Sequence, residues 1–220
     1  MARSYSRARG RWFSVIFVIV VALLILVLRL VEEIGPEKGP DDRFAVVRVL
    51  DGDTMELRGG DRLRLLGIDT PEQGEPLHDE ATGLLERLSM GQTANIEYAN
   101  QRRDRYGRLL GYLYIDTLFV NRTMIDSGYA YVYLFEDNEL ISDQVRTLLA
   151  AQRSAINRRV GLWSLPHEPE TRYINTEGSF RLHRPWCRSL GELKPGHYQE
   201  FPTREEGLAT GLSPCRNCKP

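Results

Sequence analysis

Carboxylate and guanidinium side chains are concentrated in three short segments of this sequence. The first is Asp51-Gly52-Asp53-Thr54, the second runs from Arg64 to Asp69-Thr70-Pro71-Glu72, and the third is Asp104-Arg105-Tyr106-Gly107-Arg108. Taken singly, the segments have simple explanations, because Asp-Gly is a common hairpin turn and proline ends a strand. Taken together, they contain the groups that hydrolysis of a phosphodiester bond requires.

Three of these residues offer hard oxygen ligands. Calcium binds several such ligands and tolerates an irregular coordination shell. The carboxylates of Asp53 and Asp69 and the backbone carbonyl of Thr70 could supply part of this shell, with water and a substrate phosphate filling the rest. The sequence therefore predicts a calcium site formed by these three residues.

Three further residues supply the remaining chemistry. Hydrolysis places negative charge on the equatorial oxygens of a five-coordinate phosphorus, and guanidinium groups can hold these oxygens bidentately. Arg64 and Arg108 suit that role. Glu72 is the candidate for the carboxylate that orients the attacking water and accepts its proton. These residues predict a metal-assisted phosphodiesterase site.

The charged segments lie among short strand-like runs. Five strands with a helix between the third and the fourth indicate a small closed β-barrel with helices (α+β), of the OB type. The predicted strands cover residues 44–50, 54–57, 63–68, 95–99 and 109–115, and the predicted helices cover residues 78–90, 121–127 and 142–159.

Residues 44–164 resemble the staphylococcal nuclease (thermonuclease) family. The resemblance is carried by the three charged segments in order and by the closing Gly161-Leu162-Trp163-Ser164. It implies a five-stranded OB-fold domain and calcium-dependent cleavage of DNA and RNA to 3′-phosphorylated products. It also implies the calcium, phosphate and base roles given above, and contacts of Arg105 and Tyr106 with substrate phosphate.

Bulk composition neither supports nor excludes a nucleic-acid partner. The 220 residues have a globular composition and a formal net charge of −1, so any basic face must be local. The rival function is that of an OB domain that binds nucleic acid or a protein without cutting it. Such a module is expected to lack Arg64, Glu72 or Arg108.

Residues 1–34 predict a membrane anchor. Residues 1–11 contain four arginines and no acidic residue, and the following run is apolar to Leu28 and reaches Val31 if Arg29 extends its charged end to the membrane interface. About 20 apolar residues cross a bilayer, and basic flanks stay in the cytoplasm. We therefore expect a single-pass membrane protein with a cytoplasmic N-terminus, a linker at residues 35–43 and the main domain outside the cytoplasmic membrane. A cleaved signal peptide is the alternative, although the region after Val21 offers no small-x-small site.

Residues 165–220 contain all three cysteines. His183 and Cys187, followed by Cys215 and Cys218, have the residue types and spacing of a tetrahedral zinc site. Residues 179–220 resemble the metal-binding domain of Ada-type DNA alkylation-repair regulators, with His183 where those have a cysteine. The alternative is a Cys215–Cys218 disulfide with Cys187 free. Because the main domain has its own core, we expect it to function independently of this metal. The sequence does not identify a protein partner.

Overall fold

The computed structural model describes residues 21, 23–25, 44–135 and 142–220, apart from the side chains of residues 99 and 100. All but four residues of the anchor predicted for residues 12–31 lie outside this set, as does the linker at 35–43. Among the residues that are described, no helix has the length and apolar character needed to cross a bilayer. The anchor and the location outside the cytoplasmic membrane therefore stay predictions from sequence. The described residues from 44 onwards belong to one compact unit.

The main domain contains a mixed β-sheet. A β-bridge links the regions where its two edge strands begin. Its strands are β1 (Val46–Asp51), β2 (Thr54–Leu57), β3 (Arg62–Leu65), β5 (Asn95–Arg103), β6 (Leu109–Ile115) and β7 (Leu118–Phe119), and β4 (Ile68–Asp69) leaves the sheet. The strand order is β1-β2-β3-β6-β5, with β7 beside β6. Only the β3–β6 pair is parallel among these neighbours. A bridge between Ala45 and Thr93 joins the start of β1 to the approach to β5.

Three α-helices complete this domain: α1 (His78–Ser89), α2 (Val120–Asp126) and α3 (Asp143–Arg158). Their bounds agree with the predicted helices to within one residue at each end. Ser142 caps α3, because its hydroxyl accepts the Val145 N–H at 3.2 Å. Arg159 ends it in the left-handed conformation. The mixed sheet with helices agrees with the predicted OB-type α+β fold.

The strands depart from the prediction in three places. The third predicted strand breaks at Gly67, whose φ of 74° is a left-handed conformation that favours glycine. Residues after the break form β4, which pairs with β8 (Tyr131–Val132) outside the main sheet. The fourth predicted strand continues to Arg103 through a register shift, and β7 makes the main sheet six-stranded rather than five-stranded. The break at Gly67 lets β4 carry Asp69 away from β3.

The C-terminal region contains two small sheets and one helix. Its elements are β9 (Tyr173–Thr176), β10 (Arg181–Leu182), β11 (Tyr198–Phe201), α4 (Arg204–Ala209) and β12 (Ser213–Pro214). Strands β9 and β11 pair antiparallel, and β10 and β12 pair parallel.

This region shares a hydrophobic core with the main domain. Ala155 of α3 and Trp163 pack with Tyr173, Leu182 and other apolar residues of the C-terminal region. The fully buried side chain of Gln152 joins the two parts, because it accepts the Val132 N–H at 2.7 Å and donates to the carbonyl of Leu208. The predicted domain boundary at residue 164 therefore divides the sequence, while side-chain packing continues across it.

Candidate active site

Asp53 is held in a network that connects the β1–β2 turn to the end of β4. Its N–H donates to the Asp51 carboxylate at 3.1 Å. Its own carboxylate accepts from the N–H and the hydroxyl of Thr70, both at 3.2 Å. Asp53 is only 7% exposed. The β1–β2 turn thus places the buried Asp53 carboxylate beside Thr70, the residue that follows Asp69.

Arg64 joins the two carboxylates predicted to bind calcium. Its Nε lies 3.0 Å from Oδ1 of Asp53, and its Nη2 lies 3.3 Å from Oδ1 of Asp69. The Arg64 guanidinium also donates to the carbonyl of Leu65. Strand β3 therefore places this guanidinium in contact with both carboxylates. The side chains of Arg64, Asp53 and Asp69 are 12%, 10% and 15% exposed.

Burial shifts the acid–base properties of two aspartates here. It raises the pKa of Asp69, and the neighbouring guanidinium groups of Arg64 and Arg216 oppose this shift. Burial also raises the pKa of Asp51, and the charge of Asp53 adds to the effect. Carboxylates gathered in this way repel one another, so the donor set suits a hard cation that would separate their charges.

Arg108 is positioned by the turn before β6. Asp104 accepts the N–H groups of Tyr106 and Arg108 at 2.9 and 3.0 Å, and its other oxygen accepts Nε of Arg108 at 2.8 Å. These bonds lower the pKa of Asp104 although burial opposes them. Arg105 donates to the hydroxyl of Tyr106 at 2.7 Å. The turn presents two guanidinium groups and an exposed aromatic ring together.

Glu72 lies on the loop between β4 and α1, and its side chain is 64% exposed. Two side chains hold this loop. The Glu75 carboxylate accepts the Glu72 N–H at 2.9 Å, and Nδ1 of His78 lies 2.9 Å from the Pro71 carbonyl. The half-buried His78 therefore stabilises the loop.

All eight residues predicted to bind calcium or act on the substrate line one cleft of about 640 Å³. They are Asp53, Arg64, Asp69, Thr70, Glu72, Arg105, Tyr106 and Arg108. The cleft thus brings the two buried aspartates, the guanidinium groups and the exposed Glu72 carboxylate within reach of a single ligand. Their roles stay predictions that follow from this arrangement.

Tyr133 and Arg216 are polar residues of the cleft to which the sequence analysis assigned no role. Tyr133 lines the cleft, whereas Tyr131 packs edge-on against Trp163 and accepts from Arg204 at 2.8 Å. Side chains alternate between the two faces of an extended segment, but this alternation did not indicate which tyrosine faces the site. Arg216 also lines the cleft, although it belongs to the C-terminal region. Its position between two cysteines was the only local signal.

His183, Cys187, Cys215 and Cys218 form a compact buried cluster. Their candidate ligand atoms all lie within 4.8 Å of one another, and the three thiols are free. Nδ1 of His183 lies 3.4 Å from Sγ of Cys187, which lies 3.9 Å from Sγ of Cys215. A tetrahedral zinc site with ordinary bond lengths has ligand–ligand distances of about 3.5–3.8 Å. The geometry therefore fits a metal bound by one histidine and three cysteines.

Backbone amides support the sulfur atoms of this cluster. The N–H of Arg184 donates to Cys218 at 3.3 Å, and that of Asn217 donates to Cys215 at 3.4 Å. Burial nonetheless raises the pKa of the Cys218 thiol to about 12. For Cys215 burial also opposes ionisation, but its hydrogen bonds lower the pKa. Metal binding must displace the thiol protons, and the amide donors favour the resulting thiolates.

Comparisons with known proteins identify the main domain. The family model described as staphylococcal nuclease homologue matches residues 62–165. An uncharacterized endonuclease of Escherichia coli O157:H7 is 40% identical over 54% of this chain and 75% of its own length. The thermonuclease of Staphylococcus hyicus is 28% identical over 68% and 95% of the two chains, and the micrococcal nuclease of Shigella flexneri is 31% identical over 59% and 78%. The chain therefore belongs to the staphylococcal nuclease family.

Proposed function

We propose that this protein is a calcium-dependent nuclease that hydrolyses phosphodiester bonds of DNA and RNA to 3′-phosphorylated products. The observation that carries the proposal is the convergence of Asp53, Asp69, Arg64, Arg108 and Glu72 on one cleft. Membership of the staphylococcal nuclease family and the similarity to proteins named endonucleases support it.

Asp53, Asp69 and the carbonyl of Thr70 would hold the calcium. The two carboxylates pair with Arg64, and the Thr70 N–H donates to Asp53, so the three residues belong to one network of ion pairs and hydrogen bonds. All the donors are oxygen atoms, as calcium prefers. When bound, calcium supplies Lewis-acid polarisation of the phosphate and lowers the pKa of a coordinated water.

The chain's own residues would bind and activate the reactants. Arg64 and Arg108 hold the nonbridging oxygens of the scissile phosphate, where negative charge increases in the transition state. Glu72 accepts the proton of the attacking water. The new P–O bond forms as the bond to the 5′ oxygen breaks. The 5′ oxygen takes a proton from solvent, and the phosphate remains on the 3′ side. Tyr106 and Arg105 contact the neighbouring backbone phosphate.

Arg64→Ala should lower kcat/KM about 10²–10³-fold, because one preorganised donor to the developing anion is lost. The measurement is cleavage of end-labelled DNA and RNA oligonucleotides in calcium, with mass analysis of the product ends. Arg48→Ala is the matched control, because Arg48 is exposed and pairs with Glu56 on the first two strands.

If wild-type protein binds the oligonucleotides but cuts neither, the protein is a binding module and the nuclease proposal is wrong. Products with 5′-phosphate ends would contradict the proposed bond cleavage. A wild-type rate for Arg64→Ala would contradict its role.

We also propose that His183, Cys187, Cys215 and Cys218 bind one structural zinc ion. The donor set and the ligand distances support this, and the surrounding region has few apolar residues to form its own core. Bound zinc stabilises the folded state by about 2.7–4.1 kcal/mol when free zinc is ~100–1,000 times Kd.

Cys218→Ser should therefore lose the zinc equivalent found in the purified full chain and should unfold at lower denaturant concentration. Metal analysis and urea unfolding with added zinc measure the two effects. Asn217→Ala is the control, because its side chain bonds only Ser189, at 2.6 Å, among the contacts described. A Cys215–Cys218 disulfide without bound metal in native protein would refute the zinc site.

A further inference from the structure

An arginine of the C-terminal metal-binding cluster reaches into the active-site cleft. Nη2 of Arg216 lies 3.1 Å from Oδ1 of Asp69 and 3.2 Å from Oε1 of Glu72. Arg216 stands between Cys215 and Cys218 in the chain. It is thus fixed at its backbone by two proposed zinc ligands while its guanidinium contacts a proposed calcium ligand and the proposed base.

Further contacts hold the C-terminal region on this side of the cleft. The ammonium group of Lys219 pairs with Glu75, the residue that accepts the Glu72 N–H. The guanidinium of Arg181 lies 4.5 Å from the centre of the Tyr133 ring, and its Nη1 donates to Ser213 at 2.9 Å. The position of Arg216 therefore depends on a packed surface as well as on its own side chain.

Arg216 contacts the same carboxylate as Arg64. Arg64 pairs with Asp53 and Asp69, and Arg216 pairs with Asp69 and Glu72. Arg64 is the residue proposed to bind the scissile phosphate, and a guanidinium pairs with carboxylate or phosphate through the same planar set of donors. The two arginines therefore flank Asp69 with equivalent chemistry.

We propose that Arg216 is a further substrate-binding residue, which binds a backbone phosphate of the nucleic acid on the Glu72 side of the cleft. The proposal rests on the nuclease function proposed above. The zinc-binding cluster holds this arginine in place, so the C-terminal region completes the active site of the main domain.

Exposure favours phosphate binding over a permanent inhibitory contact. The Arg216 side chain is 61% exposed and that of Glu72 is 64% exposed, and ion pairs at such exposed sites contribute little stability. The guanidinium can exchange Glu72 for a phosphate at small cost. That exchange also releases the Glu72 carboxylate, which must accept a proton during hydrolysis.

Charge supports the same conclusion. The cleft contains Asp51, Asp53, Asp69, Glu72 and Asp104, which repel a polyanion until cations offset them. A chain with a formal net charge of −1 needs a local positive surface for that purpose. Arg216 adds positive charge beside the acidic residues.

This arrangement changes the expectation that the main domain functions independently of the C-terminal metal. Zinc would hold Cys215 and Cys218, and through them the backbone on either side of Arg216. Loss of zinc should therefore weaken substrate binding through the loss of one phosphate contact, even where the barrel remains folded.

The test compares Arg216→Ala and Arg216→Lys with the control Arg172→Ala, an exposed arginine that pairs with Glu200 away from the cleft, in the full chain with zinc retained. Binding of a fluorescent single-stranded oligodeoxynucleotide is measured by anisotropy in calcium-depleted buffer, without chelator, over a series of salt concentrations. Losing one phosphate contact should reduce the magnitude of the slope of log K against log salt by about 0.7. Cleavage assays in calcium should show KM raised about 10- to 100-fold for Arg216→Ala, with a much smaller change in kcat.

We expect Arg216→Lys to keep the salt slope and to recover part of the loss in KM, since charge without the planar donor set remains. Arg172→Ala should match wild type. Cys218→Ser should lose the same slope, and adding Arg216→Ala to it should cause no further loss. An Arg216→Ala variant that matches Arg172→Ala in slope and KM would refute the proposal, and one with higher kcat/KM would identify an inhibitory contact.

The outcomes separate this proposal from the nuclease function. If no variant cleaves but Arg216→Ala loses the salt slope, the nuclease function fails while Arg216 remains a phosphate-binding residue. If wild type cleaves in calcium and Arg216→Ala binds and cleaves normally, the nuclease function stands and the role of Arg216 is refuted.

Discussion

Withdrawing calcium should lower the cleavage rate at least about 10⁴-fold, because polarisation of the phosphate and activation of water are lost together. The residues that would hold the ion are Asp53, Asp69 and Thr70, which are already linked by hydrogen bonds and by Arg64. The network does not need calcium to bring these residues together, so the fold should persist. Cleavage rates in calcium-depleted buffer and circular dichroism measure the two expectations.

The control for calcium withdrawal must leave zinc in place, since strong chelators remove both metals. Resin-treated buffer with micromolar zinc, followed by return of calcium, isolates the effect of calcium alone. Full cleavage under these conditions would contradict the calcium site. Recovery with zinc alone would assign the catalytic metal differently.

Glu72→Gln should lower kcat about 10²–10⁴-fold, the range expected when a general base is removed. The amide keeps the size of the side chain but cannot accept the proton of the attacking water. Oligonucleotide binding should persist, because Glu72 is negatively charged and does not attract phosphate. Single-turnover cleavage and anisotropy on the same preparation measure the two effects.

Glu80→Gln is the matched control for this prediction, since Glu80 is an exposed residue in the first turn of the neighbouring helix α1. The pH dependence of kcat provides a second readout. If Glu72→Gln cleaves as fast as Glu80→Gln, Glu72 is not the base. Asp51, another carboxylate that lines the cleft, would then be the next candidate.

Local sequence patterns predicted most of the barrel because its elements are short and strongly marked. Leu109–Ile115 and Thr54–Leu57 have the predicted bounds, since short, mostly apolar runs bounded by turn residues indicate buried strands. The strand after Leu65 was wrong because Gly67 allows a turn that hydrophobic pattern alone does not reveal. The end of β5 at Arg103 was missed because its last residues are polar and pair at the edge of the barrel.

Some residues of the candidate site could be predicted from local sequence motifs, and others depend on contacts between distant parts of the chain. Asp53, Asp69 and Arg108 stand beside turns that the sequence displays directly. Arg216 contacts Asp69 across 147 residues of sequence, and no local pattern specifies such a contact. The cysteine spacing predicted the cluster, but the packing of the C-terminal region against the loop of Glu72 follows only from the fold.

Helix α3 contributes side chains to two hydrophobic clusters. Val145 and Leu148 pack in the cluster of the main domain, and Ala155 packs in the cluster shared with the C-terminal region. The Gln152 amide binds both parts near the middle of the helix. Disrupting either core removes packing from the same rigid element, so unfolding in the two regions is thermodynamically linked. A ligand that stabilises one region should then raise the stability of the other, so we expect the two regions to unfold cooperatively and zinc in the proposed cluster to protect the proposed calcium site.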